Sequence, residues 1–410
     1  PGTGTAVINI PETSTALSLA DSVFYSDHAF GFRDDEIDGD ETVSILLSDV
    51  NLETLAVGAT NNQTNHINTF DVTVDVASHI ETMSLLGGSA ETATQTVNIT
   101  ADADFILAAD GDADPVSQGN GDYLDDNQAW SEFDHLQTVS VVGAGDVTLG
   151  AVGTAAGFAL EGAAATGDIG VNIANSIGDA AASFATGSGD DRVTNVAGPE
   201  ADMASTLATN AGSDSVELGG TQLFDTAEIT TGAGVDTVAA DVLHGTVAGG
   251  ASIDTGSEDD TVTFNWTDAI WDDAPTVDND DQNPVIEAFV EEEAAVVTGT
   301  GDDQVNFSVN DDGDEQSAEP VRVVIEGDSD NSDIGDAAGG VVDLGAGDDT
   351  VGFSFLGTGL DDMLSPNTDG EAMIMGNVDG GAGDDAMTVS GNKDIRVVES
   401  NTADGGVAAL

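Results

Sequence analysis

Gly380-Gly-Ala-Gly-Asp-Asp-Ala-Met387 is the fullest copy of a short phrase that recurs through the second half of this 410-residue chain. The other copies follow Gly-x-Gly-x-Asp-x-Val. They read Gly187-Ser-Gly189-Asp190-Asp191-Arg-Val193, Asn210-Ala-Gly-Ser-Asp214-Ser-Val216 and Gly232-Ala-Gly234-Val-Asp236-Thr-Val238. Then come Gly256-Ser-Glu258-Asp259-Asp260-Thr-Val262, Gly299-Thr-Gly301-Asp302-Asp303-Gln-Val305 and Gly345-Ala-Gly347-Asp348-Asp349-Thr-Val351. The last is Gly381-Ala-Gly383-Asp384-Asp385-Ala-Met387, and successive starts lie 23, 22, 24, 43, 46 and 36 residues apart. A period near 23, nearly doubled in two later intervals, marks a stacked array in which each repeat is one rung. The expected fold is all-β: a β-solenoid or β-helix-like repeat array with calcium-binding Gly/Asp-rich turns and acidic loop insertions.

The residue types explain the turn. Glycines admit the positive φ of a tight turn and expose its carbonyl oxygens. The Asp adds a hard carboxylate, and the following Val begins a strand. Stacking such turns about 4.8 Å apart gathers oxygens from neighbouring rungs into a cage suited to Ca²⁺, which takes six to eight oxygen ligands. Without metal the same stacking sets the Asp pairs 190/191, 302/303, 348/349 and 384/385 against each other. The candidate ligands are Asp191, Asp214, Asp236, Asp260, Asp303, Asp349 and Asp385, their companions Asp190, Asp259, Asp302, Asp348 and Asp384, and the turn glycines. Asn210 replaces the first glycine at the Asp214 turn.

A second repeat occupies the first third. Asn51-Leu-Glu-Thr-Leu-Ala-Val-Gly58 matches His79-Ile-Glu-Thr-Met-Ser-Leu-Leu-Gly87 and His135-Leu-Gln-Thr-Val-Ser-Val-Val-Gly143. The starts are 28 and 56 residues apart, one unit and then two, and each copy alternates as a strand does. The expected organisation is a β-rich region at 1–140, a repeat array at 141–263, an acidic Trp/Pro insertion at 264–298, and a second array at 299–410. The acidic stretches 110–128, 268–284 and 310–336 read as loops leaving the stack. Ile286–Val297 reads as one short helix. Trp130, Trp266 and Trp271, at or near loop edges, are candidate anchors between subunits.

Charge sets the strongest exclusions. There are 78 Asp and Glu against five Lys and Arg, a net charge of −73. Two carboxylates 5 Å apart repel by roughly 0.8 kcal/mol in water, and by about four times that at an effective dielectric of 20. Such self-repulsion opposes compaction unless cations accompany the fold. Nucleic acid is excluded as a partner, because no basic patch meets phosphates, and anionic membranes are disfavoured. Cysteine is absent, ruling out disulfides and thiolate metal sites. No run reaches the 18 apolar residues of a membrane span. The N-terminus lacks the basic start and apolar core of a signal peptide, so the sequence is expected to begin after processing or to be a fragment.

The phrase at Gly380–Met387 resembles the nonapeptide Gly-Gly-x-Gly-x-Asp-x-U-x of RTX proteins. The phrases at Ile80 and at Leu136–Asp146 resemble the inter-motif strands of RTX-type surface-layer proteins of Gram-negative bacteria. The resemblance covers roughly residues 45–400. It implies type I secretion, folding triggered by external calcium, and calcium-dependent self-assembly on the cell surface. It also assigns the ligand role to Asp191, Asp236, Asp260, Asp303, Asp349 and Asp385 with their preceding glycines. Toxin nonapeptides run in tandem, whereas here one copy occurs per 22 residues or more, so each rung holds further strands.

Catalysis finds little footing. There is no Cys, no Gly-x-Ser-x-Gly elbow and no His-Glu-x-x-His zinc site. Five scattered cations are a poor supply for a β-helix lyase or epimerase, which must bind uronates. The expected function is thus a non-enzymatic extracellular protein that binds several Ca²⁺ ions and associates with itself into a layer, sheath or filament. Cell-surface polysaccharide is a second candidate partner. An RTX adhesin, or an ice- or polysaccharide-binding solenoid, is the rival from another class. Sequons at Asn62, Asn98, Asn265 and Asn306 permit N-glycosylation.

Overall fold

The computed structural model describes residues 8–10, 16–24, 28–32, 41–59, 67–86, 95–108, 136–151, 157–173, 182–195, 201–203, 206–219, 221–223, 227–241, 250–267, 286–290, 294–311, 321–325, 341–357, 372–376, 378–391 and 395–399. Its contacts fall into two compact units. Unit 1 comprises Pro1–Val196 and Leu207–Ala211, and unit 2 comprises Ala197–Thr206 and Gly212–Leu410. No helix occurs among the described residues, and every strand pairing with a described register is parallel.

Each rung has the same plan: a lead strand, a tight turn, then a follow strand. In unit 2 the lead strands Glu228–Thr230, Ser252–Asp254, Ala295–Val297 and Val341–Asp343 pair in succession. The follow strands Ser215–Gly219, Thr237–Asp241, Thr261–Thr267, Gln304–Asp311, Thr350–Gly357 and Ala386–Gly391 do the same. Alternation sends every second side chain inward. Val216, Val238, Val262, Val305 and Val351 therefore form one buried column. Beside it Phe264, Phe307 and Phe353 stack with ring centroids 5.1 and 5.2 Å apart. Burying one such side chain contributes on the order of 1.5–3 kcal/mol.

Unit 1 follows the same plan with longer lead strands. Glu41–Ala59 runs through lead and follow positions in one strand, pairing with both Ile67–Val76 and Ser78–Leu86. Asp49, at φ 54°, lies within that strand just before its register passes from the lead to the follow strand. Lead strands Gln95–Ala101, Leu136–Gly143 and Ala159–Ala165 continue the stack, as do follow strands Phe105–Leu107, Val147–Ala151, Ile169–Asn172 and Arg192–Asn195.

Three expectations change. Ile286–Val297 is not a helix: Ile286–Val290 joins a four-stranded parallel sheet with Val321–Ile325, Ala372–Gly376 and Ile395–Glu399, and Ala295–Val297 is a lead strand of the main stack. The 310–336 stretch, read as a loop, supplies one of those strands. The third copy of the strand phrase does not stack on the first two. Asn51 pairs with His79, as the phrase implies, but Leu136–Gly143 is a lead strand registered on Gln95–Ala101. The acidic stretches 110–128 and 268–284, with Trp130 and Trp271, lie outside the described residues.

Candidate metal centre

Stacking, more than carbonyl exposure, dictates the first turn glycine. Gly256, Gly299, Gly345 and Gly381 take φ of 93°, 90°, 82° and 75°. A Cβ on any of them would lie within 2.1 Å of the preceding rung's glycine carbonyl oxygen. Those carbonyls are engaged: Gly256 O accepts from Thr300 N at 3.1 Å, Gly299 O from Ala346 N at 2.9 Å, and Gly345 O from Ala382 N at 2.9 Å. Asn210 keeps the left-handed backbone that glycine would supply, at φ 72°, and its side-chain amide donates to Thr186 O at 2.6 Å.

The Asp directly before each unit 2 follow strand, the second of a pair in four of the six turns, points inward. Register places Asp214, Asp236, Asp260, Asp303, Asp349 and Asp385 in one column. The first five are at most 2% exposed, while Asp385, on the last described rung of this stack, is exposed. From Asp236 onward, one carboxylate oxygen of each has a fixed task, accepting the backbone N–H of the Asp one rung earlier. Asp214 N reaches Asp236 Oδ1 at 2.8 Å, Asp236 N reaches Asp260 at 2.9 Å, and Asp260 N reaches Asp303 at 2.9 Å. Asp303 N reaches Asp349 at 2.8 Å and Asp349 N reaches Asp385 at 3.2 Å. The other oxygen, Oδ2, of Asp236, Asp260, Asp303 and Asp349 is buried and makes no hydrogen bond.

Threonine lines the same column. Thr231, Thr255 and Thr298, each just before a first turn glycine, are fully buried. Thr231 Oγ1 donates to Thr255 O at 3.1 Å, Thr255 to Thr298 O at 3.3 Å, and Thr298 to Leu344 O at 2.9 Å. Burial pushes the Asp260 carboxyl up to about 7, with Asp236 and Asp303 adding repulsion and the Asp236 N–H and Thr255 hydroxyl pulling it back. Asp236, Asp303 and Asp349 are raised for the same leading reason, burial. Beside Asp349 the threonine is replaced by Leu344, and no hydroxyl offsets its burial.

The first Asp of each pair forms a second column, in solvent and of opposite polarity. Asp302 N donates to Asp259 Oδ1 at 2.9 Å, Asp348 N to Asp302 at 3.0 Å, and Asp384 N to Asp348 at 3.0 Å. Unit 1 contains this outer column too: Asp146 N donates to Asp104, Asp168 N to Asp146, and Asp190 N to Asp168. Its inner column differs, holding Ser78, Phe105, Val147 and Ile169 in register, all buried. Asp191 ends it, with both oxygens satisfied: Oδ1 accepts from Ile169 N at 2.6 Å and Oδ2 from Gly187 N at 3.0 Å. Burial, its leading cause, raises Asp191 to about 6.

The predicted site residues therefore divide three ways. Asp214, Asp236, Asp260, Asp303, Asp349 and Asp385 align as one inner file. Asp259, Asp302, Asp348 and Asp384 form the outer file of unit 2, Asp190 belongs to that of unit 1, and each oxygen of Asp191 accepts a backbone N–H. Two features escaped the sequence reading: the threonine file, signalled by Thr directly before the first glycine, and the single-Asp turns at Asp104, Asp146 and Asp168. Among the described residues no three His, Cys, Asp or Glu side chains converge on one point. A cation would draw on carboxylate, hydroxyl and backbone oxygens together. Such an all-oxygen donor set suits a hard divalent ion. The chain matches no known family model, no curated protein and no solved structure.

Proposed function

We propose that this chain is a non-enzymatic, extracellular structural protein whose copies associate, in the presence of calcium, into a cell-surface layer, sheath or filament. The observation that carries the reading is the row of four buried Oδ2 atoms, on Asp236, Asp260, Asp303 and Asp349, that no protein group satisfies. A buried unpaired carboxylate costs several kcal/mol unless it is neutralised. With five Lys and Arg against 78 acids, the chain itself is short of the needed charge. Calcium, when bound, supplies that charge. Asp236, Asp260, Asp303 and Asp349 would hold it, with Asp385 at the end of the file and the hydroxyls of Thr231, Thr255 and Thr298 beside it. The turn glycines set the rung spacing that brings these oxygens into line. Because unfolded chain offers no such file, binding energy becomes folding energy. The resemblance to RTX surface-layer proteins supports secretion and assembly outside the cell.

The test is calcium titration of EGTA-treated protein at low salt, followed by calorimetry, circular dichroism and light scattering. Several ions bound, a gain in β signal and a rise in scattering are expected. Retention of full β structure and full assembly without divalent ions would overturn the proposal.

A further inference from the structure

We infer that the outward face of the unit 2 follow strands is a contact surface for a second copy of this chain. This inference rests on the proposed self-assembly and names where it happens. Across the strands Thr261–Thr267, Gln304–Asp311, Thr350–Gly357 and Ala386–Gly391, three outward columns of four residues run from rung to rung. One extends from Thr261 to Ala386, the next from Thr263 to Thr388, the third from Asn265 to Ser390. They are built of Thr, Ser, Asn, Gln, Ala and Gly, and none of the twelve is charged. Twelve positions drawn at the chain's mean acid content, 78 in 410, would carry about two carboxylates, and a surface set would carry more. The lead face of the same unit is ordinary by comparison, presenting Glu228, Asp254, Asp343 and Asp379.

The face is half-exposed to exposed throughout, and several of its side chains are tied down. Gln304 Nε2 donates to Asn306 Oδ1 at 2.9 Å, and Ser390 Oγ to Phe353 O at 3.4 Å. A second copy fits it on charge grounds. Two molecules of −73 charge repel wherever acidic surfaces meet, and a carboxylate-free face lets backbones approach without that cost. Four rungs at about 4.8 Å and five residues at about 3.3 Å give roughly 300–400 Å² per copy. That is about half of what one partner buries in a stable pair, so a single contact is weak and gains strength by repetition.

Extended assembly needs more than one contact face per molecule, and unit 1 has its own. Its lead strands stack Thr42, Thr69, Thr96 and Thr138 in register. The adjoining column holds two carboxylates: Asp71, which accepts from Asn98 Nδ2 at 2.8 Å, and Glu161 on the Ala159–Ala165 strand.

The experiment compares wild type with Asn306→Asp/Ser354→Asp on the face, Thr388→Asp as a second variant on its last described rung, and Ala295→Asp on the lead face. All are studied with calcium by sedimentation velocity, with circular dichroism to verify the fold. The face variants should raise the concentration for half-assembly at least tenfold, and Ala295→Asp should leave it unchanged. Mixing Asn306→Asp with Asn306→Lys copies should restore association. Equal assembly of face and lead-face variants overturns the inference while leaving calcium-dependent assembly intact. A wild type that stays monomeric sinks both. Binding to a neutral glucan that Asn306→Asp abolishes, with assembly unaffected, would assign the face to polysaccharide. A glycan found on Asn265 or Asn306 of the native protein would also overturn it.

Discussion

At the residue that opens each follow strand, the two units solve one problem in two ways. Unit 1 places Phe105 and Val147 there, and their backbone N–H groups reach main-chain carbonyls of the next rung, Asp146 O at 2.7 Å and Asp168 O at 2.8 Å. Unit 2 places Asp there, and the N–H is received by the next rung's carboxylate instead. The first solution uses only chain atoms and is complete. The second satisfies the backbone but buries an oxygen with nothing to bind. Since both units share the outer Asp column, acidity alone does not separate them. What separates them is whether the buried position holds a hydrocarbon or a charge, and hence whether the stack needs help from solution.

The largest consequence is a split in calcium dependence. Hydrogen exchange read by mass spectrometry should show the unit 2 strands losing protection in EGTA, while Phe105–Leu107, Val147–Ala151 and Ile169–Asn172 keep theirs. Uniform loss or uniform retention would erase the contrast. A single rung should show a smaller effect. Asp303→Ala strands the buried Asp260 N–H and should cost about 1–3 kcal/mol with or without metal. Asp303→Asn preserves an acceptor at Oδ1 and removes the charge. It should match or exceed wild-type thermal stability in EGTA, yet gain less on adding calcium. If both variants behave alike in EGTA, the divided roles of Oδ1 and Oδ2 are wrong.

The smallest effect is with pH. The inner carboxyls have folded pKa values raised above the unfolded value, to about 7 at Asp260, so the metal-free folded state binds protons more readily than the unfolded chain. Their contribution is therefore most favourable below the unfolded carboxylate pKa and fades as pH rises through about 7. Melting in EGTA should show unit 2 stabilised on going from pH 8 to pH 5, and calcium should flatten that slope. A slope of opposite sign would mean that the inner carboxyls are not the groups titrating.

Much of this was legible in the sequence. The 22- to 24-residue period and the Gly-x-Gly-x-Asp turn set out the rungs of unit 2, and the alternating Val residues mark its core. The rungs of unit 1 were harder because Val147 and Ile169 stand where the second Asp would be, which dissolves the motif while keeping the turn. Ile286–Val297 misled because Ala and Glu favour a helix locally. Its strand partners, beginning with Val321–Ile325, lie far along the chain where no short window sees them. The strand phrase at His135 was misplaced since apolar alternation fits lead and follow strands equally. The threonine file was missed because Thr is common, and only its position before the glycine distinguishes it.

The columns of unit 2 hold register across spacings of 22, 24, 43, 46 and 36 residues, from Asp214 through to Asp385. The number of residues between one follow strand and the next lead strand varies without shifting the register of either column. Five steps at about 4.8 Å carry the axis only some 24 Å, whether a step contains few residues or many. The unit is thus a ruler graduated in rungs instead of residues. Sequence can be added to its flanks without changing the distance that it measures.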